Sequence, residues 1–453
     1  MVTVETEMIE VVDQVRADLL AQDRKALTQL LRRLPASELS RAFRKLSRQE
    51  LSAMLQLLGD EQVAELVAEL DPAEAAELLL RLSRPEAADV LEEMAPDDAT
   101  DVVEELRPVE AEAILDEMAR PEAAEIRELL AYPPETAGGR MTPEYISVSP
   151  DLSADEAIRA IRELAAEAEI VYYVYVTDEE GHLIGVLSLR ELVLSKPKTP
   201  VRNVMLTDPI KVRVDEDQEV AARRLVDHGL LAIPVVDADN RLLGIITSDD
   251  VADVLEQETT EDIARIGGQA PLEEPYLIAN PLNIVGKRVV WLLVLFVAQA
   301  YTGSVLQHFE AELAALVALA FFIPMLIGTG GNVGSQTVTT VVRAMALGEL
   351  GFGDLLRVLA KELVVGTILG LAMGGLTLLR ALTLGVSVDV GLVVGVSALF
   401  VVVWAASVAA LLPLLLRRLG VDPAVVSAPL ITTLVDGTGL FIYFSLARLL
   451  LRL

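Results

Sequence analysis

The sequence predicts a multidomain protein in which an all-α helical superhelix (the N domain) is followed by an α/β domain pair, a long linking helix and a five-helix transmembrane α-helical domain. Three observations predict this order: a proline-led repeat of helical period, a second repeat in which strand-like runs alternate with helices, and five long apolar runs near the C-terminus. The expected domain boundaries are 1–135, 136–199, 200–262, 263–286 and 287–453.

Charge is distributed very unevenly along the chain. The 453 residues carry 37 Lys and Arg and 68 Asp and Glu, and only 10 of the basic and 8 of the acidic residues lie at or beyond Lys287. The acidic first part is unsuited to nucleic acid and to anionic lipid, and it suits multivalent cations. With no cysteine and three scattered histidines, a thiolate or zinc site is improbable, which leaves hard cations bound by oxygen.

Residues 1–135 are expected to be helical throughout. Five prolines recur every 11 to 13 residues, each followed by an acid: Pro72, Pro85, Pro96, Pro108 and Pro121. Proline and acidic residues are both favoured in the first turn of a helix, so the repeat predicts a stack of short helices. Most of these acids are interpreted as a solvated surface. Asp97, Asp98 and Asp101 form a surplus beyond the acids that the repeat explains, and they can meet another acidic surface through a bound metal.

Residues 136–199 and 200–262 share one layout of helix, strand, polar turn, glycine-containing strand and helix. Six acids crowd the end of the second copy: Asp249, Asp250, Asp253, Glu258, Glu261 and Asp262. Like charges three or four residues apart on a helix repel each other, so either solvation or a bound cation must offset them. The segment 263–286 then leads into the membrane as a linking helix that can transmit a change in the soluble domains.

Five apolar segments are long enough to span the roughly 30 Å of a bilayer core: Val289–Val305, Leu313–Val342, Leu363–Leu382, Val390–Leu416 and Val425–Leu446. No charged-then-apolar leader opens the chain, so residues 1–286 are expected in the cytoplasm. The basic residues of the loops then favour the inside, which places the C-terminus outside a cell membrane crossed five times.

Asp436 lies alone in the middle of the last apolar segment. Insertion of a carboxylate at that depth costs about 2.5 to 3.5 kcal/mol, so an intramembrane acid predicts a functional site. The second segment contains several glycines, which suit close helix packing, and Asn332 and Gln336, which favour a polar lining. These features indicate passage of a cation.

The α/β pair resembles paired cystathionine-β-synthase (CBS) domains through Met141, Gly185, Ser188, Met205, Gly244, Thr247 and Asp250. This resemblance implies a site for an adenosine nucleotide such as ATP, in which a hydroxyl and an acid three residues later contact ribose and phosphate. The matching pairs are Thr247 with Asp250 and Ser188 with Glu191.

The domain order and the pattern P-x-x-x-T-x-x-D-x-T-G closely resemble the MgtE family of magnesium transporters and channels along nearly the whole chain; its residues here are Pro429, Thr433, Asp436, Thr438 and Gly439. The resemblance implies a homodimer in which the two Asp436 side chains face each other across the pore axis. Pore residues are then Asp436, Thr432, Thr433, Pro429, Gly437 and Asn332. Regulatory magnesium is expected at Asp97, Asp101, Glu219, Asp250, Asp253, Glu258, Glu261, Asp262 and Asp422.

The chain departs from the family pattern at two positions. Ala428 precedes Pro429 where relatives can place an asparagine ligand, and Gly229 stands where an acid is expected in the second CBS copy. Both departures leave the number of bound ions open.

The resulting hypothesis is a magnesium-selective channel that imports Mg²⁺ and is closed by cytoplasmic Mg²⁺ bound to the N and CBS domains. The main alternative is a secondary transporter that exchanges Mg²⁺ for Na⁺ or H⁺, although coupling calls for intramembrane acids besides Asp436, which the predicted spans lack. An anion channel is disfavoured because no Lys or Arg lies mid-span. An enzyme or receptor is disfavoured because the sequence offers no nucleophile with a base, metal triad or phosphate loop.

Overall fold

The computed structural model describes residues 2–165, 168–272, 276 and 279–452, with side chains from Met8 onward. The chain forms two compact units, Met1–Glu256 and Gln257–Leu453. Each unit is described separately below.

The first unit begins with ten short helices in its described part. They are α1 (Val2–Ala21), α2 (Arg24–Leu31), α3 (Ala36–Lys45), α4 (Arg48–Leu58), α5 (Asp60–Ala68), α6 (Pro72–Leu79), α7 (Arg84–Glu92), α8 (Pro96–Glu104), α9 (Pro108–Leu115) and α10 (Arg120–Leu129). Each repeat proline lies in the first turn of one of the helices α6 to α10, as predicted. From α5 onward each helix packs on the helix two positions later, and one continuous apolar core runs beneath them. The predicted helical superhelix is therefore confirmed.

Two small α/β layers complete this unit, and their last helix continues past its boundary at Glu256. Their elements are β1 (Ser147–Val148), α11 (Ala154–Leu164), β2 (Tyr173–Thr177), β3 (Leu183–Ser188), α12 (Leu189–Leu194), a 3₁₀ turn (Val201–Asn203), β4 (Leu206–Thr207), β5 (Val212–Arg213), α13 (Gln218–His228), β6 (Ala232–Val236), β7 (Leu242–Thr247) and α14 (Ser248–Ile266). The sheet orders are β1-β2-β3-β4 and β5-β6-β7, with β1 parallel to β2 and β5 parallel to β6, and the other neighbours antiparallel. The predicted duplication is confirmed.

The two α/β copies are interwoven at their edges. Strand β4 follows the predicted boundary at 199/200 yet pairs with β3 of the first copy. In return, Thr142 of the first copy bridges to Ile245 of β7. Met141 covers Gly244, where an added Cβ would lie 3.0 Å from the methionine sulfur. The methionine and glycine of the predicted pattern therefore join one copy to the other.

The second unit is helical in its described part. Its elements are α15 (Pro281–His308), α16 (Glu310–Ala315), a 3₁₀ segment (Val317–Phe322), α17 (Ile323–Ala346), a 3₁₀ turn (Phe352–Asp354), α18 (Leu355–Thr383), α19 (Val388–Arg418), a 3₁₀ turn (Pro423–Val425) and α20 (Ala428–Leu451). Five stretches are long and apolar enough to cross a membrane: Pro281–His308, Val317–Ala346, Phe352–Thr383, Val388–Arg418 and Ala428–Leu451. All five predicted segments are thus present, and α17, α19 and α20 pack on one another.

The predicted range of the linking helix, 263–286, is wrong. The helix that leaves the second α/β copy is α14, which ends at Ile266, and Gly268 after it has a φ of +71° that only glycine adopts freely. The described residues between Gly268 and Pro281 are not helical. A new helix starts at Pro281, where the Asn280 side chain caps the first turn. Two glycines followed by prolines stop the helix, a local signal that the predicted range did not take into account.

Candidate functional site

Asp436 shares one face of α20 with Pro429, Thr432 and Thr433, because residues three, four and seven apart point the same way on a helix. The three polar side chains are half-buried. The hydroxyl of Thr432 donates to the Ala428 carbonyl at 3.0 Å, and that of Thr433 donates to the Pro429 carbonyl at 2.9 Å. Both threonine oxygens therefore keep acceptor capacity toward this face.

Asp436 has no basic partner among the described residues. The side chain of Gln299 on α15 lies near it. The negative charge of Asp436 is therefore not compensated by a cationic side chain in the described part of the protein. Sequence reasoning missed Gln299, since nothing in the sequence pairs it with Asp436.

The glycines of the second span let α17 approach α20 closely. A Cβ added at Gly331 would lie 2.8 Å from Cγ2 of Thr432, and one added at Gly334 would lie 2.7 Å from Cγ2 of Ile431. The Ser335 and Thr432 hydroxyl oxygens are 3.2 Å apart. These glycines therefore serve helix packing, as their composition indicated.

Asn332 does not point into this packed interface. It is exposed on α17 together with Gln336 and Thr340, which follow at four-residue spacing and so lie on the same face. Gly437 is buried, and a Cβ there would lie 2.5 Å from Cδ1 of Tyr301 on α15. The structure thus assigns Gly437 to packing between α15 and α20 rather than to the face that carries Asp436.

Besides Asp436, another acid lies away from the ends of a candidate span, contrary to expectation. Glu362 is in the second turn of α18, inside the span Phe352–Thr383, and Thr337 of α17 donates a hydrogen bond to it at 3.4 Å. The predicted segment began at Leu363 and so excluded this residue. The apolar run marks only the most hydrophobic part of the helix, whereas the helix itself begins at Leu355.

The end of α14 lies against the start of α20. Arg265 forms ion pairs with Glu261 and with Asp422, so these two predicted magnesium ligands are brought together through a guanidinium group. A Cβ on Gly268 would lie 2.5 Å from Nε1 of Trp291 and 3.3 Å from Cγ of Pro429.

Two further contacts hold the turn at Gly268 in place. Nε1 of Trp291 donates to the Ser427 hydroxyl at 3.1 Å, and Ile266 packs on an apolar cluster that includes Val338 and Ile431. The glycine turn after α14 is thereby held at the Pro429 end of α20.

Within the first unit, acids from three segments meet around the start of α14. Asp97, Asp98 and Asp101 of α8 approach Asp250 of α14, and Glu169 joins from the segment between α11 and β2. The name "acidic cluster" is used below for these five residues. Glu169 was not predicted, because nothing in its local sequence distinguishes it from other surface acids.

Burial and mutual repulsion raise the pKa values of the acidic cluster. Burial, then Asp250 and then Asp98, raise the pKa of Asp97 well above its usual range. Burial, followed by Asp250 and Glu169, raises the pKa of Asp98 to about 7. Burial also raises the pKa of Asp101, which Arg140 partly offsets through a contact of 2.7 Å between Nη1 and Oδ2.

The acidic cluster also holds an unsatisfied acceptor. Oδ1 of Asp97 is inaccessible to solvent and has no hydrogen-bond partner within the described part of the chain. A buried acceptor without a donor is costly, so this oxygen calls for a hydrogen-bond donor or a positive charge beside it.

The other predicted magnesium ligands lie elsewhere or near the edge of the cluster. Asp253 follows one turn after Asp250 on α14, and burial, then Glu256 and Asp249, raise its pKa. Glu219 forms an ion pair with Arg223 on α13. Glu258 and Asp262 lie on the part of α14 that belongs to the second unit.

The residues that depart from the family pattern have local structural roles. Gly229 ends α13 in the left-handed conformation, with a φ of +62°, which an acidic residue would adopt only with strain. Ala428 occupies the first turn of α20, where its carbonyl accepts from Thr432.

The two hydroxyl–acid pairs of the α/β copies cap helices. Ser188 and Glu191 form a capping box at the start of α12. The Thr247 hydroxyl donates to Oδ2 of Asp250 at 2.5 Å, and the Thr247 backbone N–H donates to the same oxygen at 3.0 Å. Capping accounts for the spacing of both pairs, and Asp250 also belongs to the acidic cluster.

Comparison with known proteins matches the helical repeat domain, the α/β pair and most of the membrane part. Family models match the MgtE intracellular N domain over residues 34–135, the CBS domain over 137–196 and 201–257, and the MgtE divalent cation transporter over 323–446. The magnesium transporter MgtE of Thermus thermophilus is 47% identical over 324 residues, 72% of each chain. This protein belongs to the MgtE family. The magnesium transporter MgtE of Enterococcus faecalis is 37% identical over 72% of this chain and 71% of its own length.

A solved structure supports the fold of the soluble part. The crystal structure of the soluble part of a magnesium transporter is 33% identical, with a TM-score of 0.51, and the match covers 55% of this chain and 99% of that one. As a member of the MgtE family, this chain is a multi-pass membrane protein of the magnesium transporter class with soluble N-terminal domains. Both of these MgtE relatives are named as transporters.

Proposed function

We propose that this MgtE-family protein is a magnesium-selective channel that imports Mg²⁺ and is closed by Mg²⁺ bound to its soluble domains. The observation that carries the proposal is the environment of Asp436. Its carboxylate lies within a candidate span, on a face shared with Thr432 and Thr433, and has no basic partner among the described residues. An uncompensated acid at such a depth is costly, and a permeating cation supplies the missing positive charge.

Recognition would be by the hydrated ion. Mg²⁺ holds six oxygen ligands and gives up water reluctantly, so carboxylate and threonine oxygens would accept hydrogen bonds from its waters. The oxygens of Thr432 and Thr433 are available on the same face as Asp436. Selectivity then follows from the size of the hydrated ion rather than from direct coordination.

A homodimer would place two copies of this face opposite each other. The exposed stripe of Asn332, Gln336 and Thr340 on α17 supports this arrangement. Polar side chains exposed on a membrane-spanning helix need water or another chain as partner. A pore between two copies supplies both, and it brings a second Asp436 carboxylate to the ion.

The acidic cluster suits a regulatory cation. Its donors are carboxylate oxygens, which Mg²⁺ prefers, and Oδ1 of Asp97 has no other partner in the described structure. Asp97, Asp98, Asp101 and Asp250 would hold the ion, which would neutralise their mutual repulsion. When cytoplasmic Mg²⁺ falls, the repulsion returns and favours separation of α8 from α14.

Helix α14 links this cluster to the membrane part in sequence. It carries Asp250 near its start and Arg265 near its end, where Arg265 pairs with Asp422 and the following Gly268 contacts Pro429. In the proposed mechanism, loss of the ion at Asp250 weakens the contacts of this helix end with the start of α20. The pore then opens.

The test is Mg²⁺ uptake by the full-length protein reconstituted in liposomes that contain a magnesium-sensitive dye. Asp436→Ala is expected to reduce the initial uptake rate more than about tenfold, because it removes a charged partner of the ion. Asp389→Ala is the control, since Asp389 is an exposed acid in the first turn of α19. Uptake by Asp436→Ala at the rate of the native protein would defeat the proposal.

A secondary transporter is the second candidate, and Glu362 is the observation that favours it. Two intramembrane acids, Asp436 and Glu362, offer the ionisable groups that coupling to Na⁺ or H⁺ requires. Single-channel currents that persist without a Na⁺ or pH gradient would support the channel. Uptake that depends on either gradient and is lost in Glu362→Gln would support exchange.

Nucleotide binding at the CBS pair stays a prediction. The pairs Thr247–Asp250 and Ser188–Glu191 are engaged in helix capping, so their spacing by itself is not specific for ribose. Calorimetric titration of the full-length protein with ATP, with and without Mg²⁺, measures whether this site exists.

A further inference from the structure

A basic segment lies near the start of the acidic soluble part. Residues 24–48 carry eight basic residues and one acid, whereas residues 1–286 as a whole carry more than twice as many acidic as basic residues. All eight basic residues are exposed. Such a local excess of positive charge attracts anions to the surface that carries it, and the proposed function gives it no role.

Half of these basic residues line one groove between α2 and α5. The groove has a volume of about 590 Å³, which lies within the range of small-molecule sites. No acid is among its described lining residues, of which four are basic and three carry uncharged polar side chains. The basic residues are Arg24, Lys25, Arg32 and Arg33, and the others are Thr28, Gln29 and Gln62.

The helical period of α2 places most of these side chains in two rows. Residues 24, 28 and 32 form one row and residues 25, 29 and 33 form the other, each at four-residue spacing. Leu27 and Leu31 are buried on the side of α2 that faces the core. Across the groove, Oγ1 of Thr28 lies 3.3 Å from Oε1 of Gln62, so the Nε2 group of Gln62 remains a donor for a ligand.

Most of the positive charge in the groove has no acidic partner. Arg32 forms an ion pair with Glu65 on α5. Arg24, Lys25 and Arg33 form no ion pair with any residue that the structure describes. Positive charges gathered along one short helix repel one another, and an anion held between them would remove that repulsion.

We propose that this groove binds a soluble anion with two or three phosphate groups, either an inorganic oligophosphate or the phosphate chain of a nucleotide. Guanidinium groups match phosphate oxygens with two parallel N–H donors, and Lys25 adds a point charge. The amides of Gln29 and Gln62 supply uncharged donors at the same place. Three unpaired cations call for an anion of several negative charges, which a di- or triphosphate carries and a single carboxylate does not.

The proposed site goes beyond the proposed function. None of its residues belongs to the acidic cluster, to the face that carries Asp436 or to the hydroxyl–acid pairs of the α/β copies. Binding there would stabilise the N-terminal helices by mass action, because the groove exists only when α2 and α5 are packed together.

Calorimetric titration of the full-length protein in detergent micelles with inorganic triphosphate, without Mg²⁺, tests the site. The groove variant combines Arg24→Gln with Arg33→Gln. The control variant combines Arg41→Gln with Lys45→Gln on α3, where both residues are exposed and outside the groove. Each variant removes two positive charges from the same segment, and circular dichroism checks that both stay folded.

The native protein is expected to bind inorganic triphosphate at one site per chain. The groove variant should raise the dissociation constant at least about tenfold, because charge-assisted hydrogen bonds to phosphate are lost. The control variant should keep the native dissociation constant in about 0.15 M salt, which screens charges farther apart than about 8 Å.

Competition with ATP distinguishes the two sources of the phosphate chain. Displacement of triphosphate by ATP at a lower concentration than its own affinity requires would identify a nucleotide as the ligand. Displacement at an equal or higher concentration would show that the groove recognises the phosphate chain alone.

Three results would overturn the proposal. The first is that millimolar triphosphate gives no binding to the native protein, and the second is that the groove variant binds it as tightly as the native protein does. The third is an equal loss of affinity in the control variant, which would mean a diffuse attraction to the basic segment and no site in the groove. None of these results bears on Mg²⁺ uptake, which Asp436→Ala tests separately.

Discussion

Asp98 lies half-buried in the first turn of α8, where burial and the neighbouring Asp250 and Glu169 raise its pKa from 3.8 to about 7. The folded protein therefore binds this proton more tightly than the unfolded chain does. The corresponding stability is fully present below pH 3.8 and is lost as the pH rises through 7. In the absence of a cation, the ionised acidic cluster consequently destabilises the fold near neutral pH.

Asp98→Asn is predicted to raise the unfolding temperature of the full-length protein by a few degrees at about pH 8 in the presence of a chelator, because it removes one repelling charge. The difference from the native protein should shrink near pH 5 and when millimolar Mg²⁺ is added. Thermal unfolding followed by circular dichroism measures it. Asp89→Asn, an exposed acid on the neighbouring helix α7, is the control. Equal unfolding temperatures at about pH 8 would contradict the prediction.

At the scale of secondary structure elements, the end of α14 fixes a contact within the second unit. Helix α14 ends at Ile266, and the glycine turn after it lies against Trp291 and Pro429. The turn requires a left-handed residue at Gly268, which also has no room for a side chain. The end of α14 therefore depends on a left-handed glycine and, at the same residue, on a contact with the start of α20.

Gly268→Ala is predicted to weaken closure, so that Mg²⁺ uptake persists at concentrations on the side of the soluble domains that silence the native protein. The added Cβ would lie 2.5 Å from Nε1 of Trp291 and must displace the turn. Gly348→Ala is a matched control because Gly348 has the same φ of +71° but no atom within 4 Å of an added Cβ. Liposome uptake at low and high Mg²⁺ compares the two. If Mg²⁺ closes both variants to the same extent, the contact with Trp291 has no role in closure, and only backbone strain is involved.

For the whole molecule, the proposed second copy of the chain would explain together the exposed polar stripe of α17 and the lone acid of α20. Asn332 and Gln336 are exposed within a candidate span, and Asp436 has no basic partner in the described structure. A pore on a twofold axis would hydrate the stripe and pair the two acids around one ion. Without such a pore, exposure of the polar stripe or of the Asp436 carboxylate to lipid would each cost free energy.

Asn332→Cys is predicted to crosslink two copies of the chain on mild oxidation in membranes. The sequence contains no cysteine, so a single introduced thiol reports on one position only. Leu371→Cys on the exposed side of α18 is the control and should remain monomeric. Gel electrophoresis without reductant measures the dimer band, which added Mg²⁺ should leave in place. Failure of Asn332→Cys to crosslink, with the control also unlinked, would argue against a dimer through this face.

The prolines of the N-terminal repeat, the duplicated α/β copies, the five spans and the depth of Asp436 were all predictable from the sequence, because helical period, strand pattern and hydropathy are local properties. The meeting of Asp97 with Asp250, the addition of Glu169 and the proximity of Gln299 to Asp436 were not. Those residues are distant along the chain, and their encounter depends on how helices and sheets pack. Tertiary structure alone also decided which charges are buried, and hence which acids repel one another and which are balanced by an arginine.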